Sequence, residues 1–453
     1  SCATRKHGIE CLNHHTLETP KFTLIRHLHR HRLACLFKHL VQIKIACIME
    51  GVNQAVASLQ PELWTASLNE AITIYITDTA GSAQSFQPLF TYPIFGEAET
   101  IFGYQDLQIF LCFDAVTFYP FLNVKWSKKL DETDVDPKET LLKLLPESTV
   151  YKDELKWRDA IDGEQKDFKI PGEIVGEKWT KNGEDYAIYK INMALEQGAE
   201  LLKRLQILVL LFIEAGTYIE HTDPKWDFYV LYKVTNPKLP EVVGFATAYN
   251  YWSYPGAEKH DAGVVHTRKK LSQFIILPVF QGQLLGADFY DRLYIAWAAE
   301  KNVLEIVVED PNESFDDLRD RVDFSRLVKS QKIDLNSFSV ELAQKDGFFA
   351  QFKADEKLER RQLQRLFEMA LLYQLKHGLA KESKRAVRLF IKQRLYEKNI
   401  EALKDMDEPT RLDKLQTAYM SLEDDYYRIL EPLKLAVKRK VGATNDGKKK
   451  QKK

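Results

Sequence analysis

Residues 271–321 constrain this chain more than any other stretch. The pattern there runs strand, glycine-bearing loop, helix, strand, acidic turn, helix. LSQFIILPVF is apolar and partly β-branched and reads as a strand. Leu285, Phe289, Leu293 and Trp297 recur every four residues, which gives the next helix a buried face. VLEIVVE is a second strand, and it ends on Glu309-Asp310-Pro311. A strand that feeds a helix through a glycine loop turns unpaired N–H groups and the positive end of the helix dipole towards one point. That is an anion site suited to a pyrophosphate. Gly282 and Gly286 admit a ligand close to the backbone. Many such loops carry glycine only to turn, so the loop alone is weak. Neither GxGxxG nor GxxxxGK[ST] is present, which argues against a Rossmann dehydrogenase and a P-loop NTPase.

The acidic turn adds a second requirement. A carboxylate at the mouth of a buried sheet is expected to be desolvated, and desolvation raises its pKa towards the range of a working base. Asp310, followed by Pro311, also reads as a helix N-cap. The division expected is Asp310 capping and Glu309 doing chemistry. Residues 194–215 read as one helix ending in the all-round apolar run ILVLLFIEAG, so Glu214 is a second candidate buried acid.

The remaining chain sets the frame. The 453 residues are 45% hydrophobic and 28% charged, with net charge −1. This is ordinary globular composition, room for about three domains. No window offers the roughly 20 apolar residues of a membrane helix. Five cysteines form no CxxC pair and no zinc spacing. Four of them, with seven of the eleven histidines, lie before residue 48. That segment precedes the first methionine, Met49, and reads as a leader foreign to the fold. Beyond it, AITIYIT and FGYQDLQIFLCF read as strands, with the acidic turn of Glu97, Ala98 and Glu99 before the second. Residues 164–183 read as an irregular connection. WDFYVLYKV and VVGFATAYNYW read as strands, and residues 355–440 as charged helices broken at Asp407-Glu408-Pro409. KKKQKK is a basic tail. The divisions expected are a leader (1–48), an N-terminal α/β domain (49–190), a catalytic domain (191–335), a helical domain (336–440) and the tail (441–453).

QGQLLG after SQFIILPVF, with VVEDPNESFDDLRDR downstream, closely resembles the type B histone acetyltransferase catalytic subunits of the GNAT superfamily. FGEAETIFGYQDLQI, LLFIEAGTYIEHTDPKWDFYVLY and FATAYNYWSYP extend the resemblance from Trp64 to about Lys440. It implies an α+β GNAT fold, a mixed and largely antiparallel central sheet flanked by helices. Phe274, Ile275 and Ile276 would bond the pantetheine arm of acetyl-CoA through their main chain. Gln281, Gly282, Gln283, Leu284, Leu285, Gly286 and Ala287 would wrap its pyrophosphate, with Asn312 or Ser314 nearby. Glu309 would be the general base, supported by Glu214 and Asp310. Glu97, Ala98, Glu99, Tyr249, Asn250, Tyr251 and, with them, Trp226 would meet the histone H4 tail. The resemblance further implies histone H3 within the complex, a WD-repeat histone chaperone as partner, no metal, no membrane, no sequence-specific nucleic-acid binding, and residence in cytoplasm and nucleus. One departure stands out. The family's loop follows Q-x-x-G-x-G, and Leu284 occupies the first of those glycine positions.

The chemistry implied is direct transfer. A lysine amine, with a pKa near 10.4, must lose a proton before it attacks a thioester. Glu309 would take that proton, main-chain N–H groups near Ile276 would hold the oxyanion, and Cys112 would stay structural. Two rivals remain open at this point: a relative weakened by Leu284 that still holds histone, and a GNAT enzyme acting on another amine.

Overall fold

The computed structural model describes residues 61–130, 133 and 135–435, so the leader and the basic tail read from the sequence lie outside the described residues. The described residues divide into two compact units, one running from 61 to 315 with 353–359, the other of 316–352 with 360–435.

The larger unit is built on two main sheets, beside two small two-stranded ones. The first runs β2-β1-β3-β4-β5, formed by β1 (Ile72–Thr77), β2 (Ala83–Phe86), β3 (Gln108–Asp114), β4 (Pro120–Lys125) and β5 (Val150–Tyr151). Helix α1 (Glu154–Gln165) follows β5. The second sheet has six strands in sequence order: β6 (Gly172–Lys181), β7 (Glu184–Ile191), β8 (Trp226–Lys233), β9 (Glu241–Ser253), β10 (His266–Ile276) and β11 (Val303–Val308). Every neighbouring pair is antiparallel except β10 with β11, which is parallel. This is the mixed, largely antiparallel sheet expected. A single apolar core joins both sheets: Ile74, Leu111 and Leu122 from the first, and Phe228, Phe245 and Ile275 from the second, meet α2 (Glu196–Leu205) and α3 (Ile207–Phe212).

Two expectations need correction. Residues 172–181 are a strand, not irregular. Lys181 pairs with Glu184 across the two-residue turn Asn182-Gly183, both at positive φ, and that dipeptide is a strong hairpin signal. The strand is polar because it lies at a sheet edge, which hid its alternation. The helix expected over 194–215 is two helices. They meet at Gln206, whose side-chain oxygen accepts the N–H of Ile219 at 2.6 Å and so ties the helix pair to the following loop.

After β10 comes α4 (Leu285–Ala299), and after β11 comes α5 (Glu313–Lys329). Leu285, Phe289, Leu293 and Trp297 are all buried, as their spacing predicts. The outer edge of β11 is covered by residues 353–359: Lys357 O accepts Ile306 N–H at 2.7 Å and Lys353 pairs with Glu305 at 2.7 Å.

The smaller unit is helical, with α6 (Arg360–Lys376), α7 (Lys384–Lys398) and α8 (Glu408–Leu430). Asp407 caps α8 by accepting Thr410 N–H at 3.1 Å, with Pro409 in the first turn, so the expected break is a helix start. Buried Glu368 takes Arg394 and the Tyr426 hydroxyl, and Gln362 bridges Asp320 and Asp323 at 3.0 Å.

Candidate active site

The site forms where β10 and β11 part. Their pairing ends at Leu271 and Val308, and the last bond runs from Glu309 N–H to Leu271 O at 2.9 Å. From Ser272 onward β10 keeps only β9 as a partner. A register shift between Gln273 and Leu271 leaves Ser272 as the extra residue of a bulge, a device that redirects a strand. Leu277 N–H donates to Val243 O, so antiparallel alternation turns Ile275 and Gln273 towards β9. Phe274 and Ile276 then present their main-chain groups to the open edge. Ile275, grouped with them from sequence, spends its main chain on β9 and its side chain in the core. The Phe274 ring packs on Phe289 and Phe315.

At the end of β10 the loop turns into α4. Gly282 has φ +76 and open space where a Cβ would lie. Leu284 also has positive φ, +60, is 71% exposed, and offers no side-chain cap. The first bond of the helix is Asp288 N–H to Leu284 O, so the N–H groups of Leu285, Gly286 and Ala287 precede the hydrogen-bonded turn. Gln281 is not among these donors. Its amide reaches back to Ile276 O at 2.9 Å and braces the loop. Lys181 of β6 arrives with its ammonium 2.6 Å from Asp288 and 3.3 Å from Leu284 O. A cation beside the donors of a helix N-terminus suits a polyanion. An open strand edge leading to such a loop therefore fits a long ligand with an amide-bearing arm and a pyrophosphate.

The carboxylates differ from expectation. Glu309 is exposed, its side chain 39% accessible, rather than desolvated, because it lies one residue past the strand. It is instead bonded: Lys270 donates to one oxygen and Ser272 to the other. Burial alone would lower the Lys270 pKa, but hydrogen bonds to Glu309 and Tyr251 and their charges carry it above the ordinary lysine value. Glu214 is exposed as well, on the loop beyond α3. Asp310 does not cap α5. It sits at φ +35, and the cap is Asn312, which accepts Phe315 N–H at 2.8 Å. Ser314 is exposed in the first turn of α5.

The aromatic candidates form a ladder. The Trp226 and Tyr249 rings lie 4.8 Å apart and those of Tyr249 and Tyr251 4.7 Å, and Lys270 stands over Tyr251 at 5.0 Å. The ladder thus ends on the ion pair with Glu309. Asn250 belongs to the opposite face. Its amide donates to Asp227 at 2.9 Å, and Asp227 also takes Lys269 and Lys190. In the turn, Glu97 and Ala98 are exposed, whereas Glu99 is structural. It accepts Thr91 N–H at 2.6 Å, Tyr92 N–H and the Asn69 amide. Tyr92 in turn accepts Ala215 N–H at 3.0 Å, and Thr217 O accepts the Gln273 amide at 2.7 Å, which links that turn through the Glu214 loop to β10. Among the described residues no cluster of three or more His, Cys, Asp or Glu could hold a metal.

Residues 64–214 match the family described as histone acetyl transferase HAT1 N-terminus, and residues 320–376 match fungal HAT1, C-terminal. The chain is 58% identical to the histone acetyltransferase type B catalytic subunit of Debaryomyces hansenii over 87% of this chain and 96% of that protein. The chain belongs to the histone acetyltransferase type B catalytic subunits. Two further members show the same: that of Candida albicans is 53% identical, covering 85% and 94%, and that of Kluyveromyces lactis 41%, covering 86% and 97%. A histone acetyltransferase needs an acyl-donor groove beside a place for a lysine. Here the open edge of β10 and the end of the aromatic ladder are neighbours. Lys181 and Lys270, both unremarkable in the sequence, are the residues its pattern does not reveal. Their roles arise from pairing across strands.

Proposed function

We propose that this histone acetyltransferase transfers acetyl from acetyl-CoA to tail lysines of newly made histone H4, by direct attack in a ternary complex with Glu309 as general base. The observation that carries the reading is the ladder of Trp226, Tyr249 and Tyr251, which ends with a lysine ammonium on Glu309. A row of aromatic rings that leads an ammonium to a carboxylate is what an acceptor lysine needs. Acetyl-CoA would lie along the open edge of β10, bonded by the main chain of Phe274 and Ile276, with its pyrophosphate on the N–H groups of Leu285, Gly286 and Ala287 and Lys181 beside it. Glu309 takes one proton from the acceptor ammonium, and the amine attacks the thioester carbon. Ser272 orients the carboxylate, and the Ile276 N–H faces the edge where the oxyanion develops. Holding both reactants in one groove supplies much of the rate. Glu97 is exposed, and its negative charge favours a basic tail. Histone H3 and a WD-repeat chaperone are the partners this assignment entails, in cytoplasm and nucleus.

Purified full chain given acetyl-CoA and equal concentrations of H4 tail peptide and a small polyamine should acetylate the peptide, with kcat/KM at least about tenfold higher. Equal or reversed preference would replace the histone assignment with an enzyme for other amines. Peptide binding without transfer, converted to transfer by Leu284→Gly, would mark a weakened relative.

A further inference from the structure

Lys270 occupies the place that an acceptor lysine would take. Its side chain leaves β10 on the face of its cross-strand partner Tyr249 and of Tyr251, the face that passes beyond the bulge at Ser272 to Gln273 and Ile275, while its neighbour Lys269 leaves on the opposite, buried face. The two lysines therefore differ sharply in environment. Lys269 is 1% exposed and committed to Asp227 at 3.0 Å and Glu300 at 2.9 Å. Lys270 keeps 19% exposure, lies over Tyr251 and is bonded to Glu309. It stands one residue before the last rung between β10 and β11, so its ammonium meets Glu309 where the strand edge opens. A surface ion pair holds its partners weakly and exchanges them readily.

We propose that Lys270 is itself an acetyl acceptor: without histone, the chain acetylates its own Lys270 Nζ, using acetyl-CoA and the same Glu309. This rests on the reading of Glu309 as general base. Glu309 takes one proton from the ammonium. The freed nitrogen lone pair attacks the thioester carbon, an N–C bond forms and the C–S bond breaks. The sulfur leaves with the electron pair and receives the second nitrogen proton, giving CoA thiol, and Glu309 returns its proton to water. No oxidant or reductant is needed. The product is a neutral amide that cannot pair with Glu309. Modification therefore removes the internal cation and leaves the carboxylate to the incoming substrate lysine, while Lys269, locked on Asp227, stays unmodified.

The full chain should be incubated with labelled acetyl-CoA, with and without H4 tail peptide, and Lys269 and Lys270 read separately by fragment mass spectrometry. Label is expected on Lys270 and not on Lys269, at a rate independent of protein concentration. Saturating peptide should slow it, and Glu309→Gln should slow it about a hundredfold or more. A second readout needs no acetyl-CoA: reductive methylation of Lys270 should be several-fold faster in Glu309→Gln than in the parent, because the ion pair is gone. Equal methylation rates, or peptide acetylated while Lys270 stays unlabelled, overturn the proposal and leave the histone assignment standing. Labelled Lys270 with unlabelled peptide upholds the proposal and removes that assignment. Label on neither removes both.

Discussion

Glu309 donates its main-chain N–H to Leu271 O at 2.9 Å, and this bond is the last rung between β10 and β11. The backbone of the candidate base is thereby fixed at the point where the strands separate, while its side chain remains free to exchange partners. The base is placed by the sheet and is not caged by it.

Glu309→Gln should lower kcat by about 10²–10⁴-fold with little change in KM for the H4 peptide, because the amide keeps the shape and loses the proton acceptor. Exposure of this residue makes a folding defect unexpected, and circular dichroism checks it. Steady-state kinetics that show a loss in KM alone would reassign Glu309 to substrate binding.

Leu284→Gly should relieve a strained residue. Leucine at φ +60 costs on the order of 1–2 kcal/mol relative to its right-handed conformations. Glycine pays no such penalty, although it adds entropy to the unfolded chain. With the side chain largely in solvent, little packing is lost. The expected result is an unchanged or slightly higher Tm and a lower Kd for acetyl-CoA by calorimetry. Weaker binding would show that the leucine side chain contributes to the ligand site.

The sequence carried the order of elements around the site because each depends on local pattern. The four-residue spacing of Leu285, Phe289, Leu293 and Trp297 buries all four. Exposure of Glu214 and Glu309 was not legible, because it depends on where a helix or strand stops relative to the neighbouring chain. Asp310 and Asn312 were exchanged as cap for a similar reason, since both residue types cap and only the start of the helix decides. Lys181 reaches Leu284 O from 103 positions away, and Lys270 meets Glu309 only through the parallel register that sets Lys270 opposite Val307. Neither relation has a signature within one segment. The Asn182-Gly183 hairpin was legible, but the polar edge strand before it concealed the alternation.

Asp227 is the buried charge centre on the other face of the sheet. Burial raises its pKa, but Lys269, the Asn250 amide and Lys190 outweigh burial and hold it below the ordinary aspartate value. A depressed folded-state pKa contributes stability that is fully present above the unfolded value of about 3.9 and is lost as pH falls through the lower folded value. Asp227→Asn should therefore destabilise at neutral pH by about 3 kcal/mol, since it leaves Lys269 with a lost partner. The difference between parent and variant in denaturant unfolding should shrink below about pH 4. A difference that is constant down to pH 3 would mean that lost packing, not charge, causes the defect.

Cys112 tests whether transfer is direct. It lies in β3, partly buried, and burial, with Glu154 adding to it, pushes its thiol up to about 12. A thiol at that value is almost wholly protonated between pH 7 and 9, and the thiolate is the nucleophile. Such a thiol is a poor nucleophile in that range. Iodoacetamide should leave Cys112 unmodified in the folded chain and alkylate it after denaturation, as read by peptide mapping. On the proposed direct attack, which forms no covalent acyl-enzyme, Cys112→Ser should keep kcat for the H4 peptide within about twofold. Ordered or random sequential kinetics should persist in the variant. Ping-pong kinetics in the parent that vanish with Cys112→Ser would transfer the chemistry from Glu309 to this cysteine and overturn direct attack.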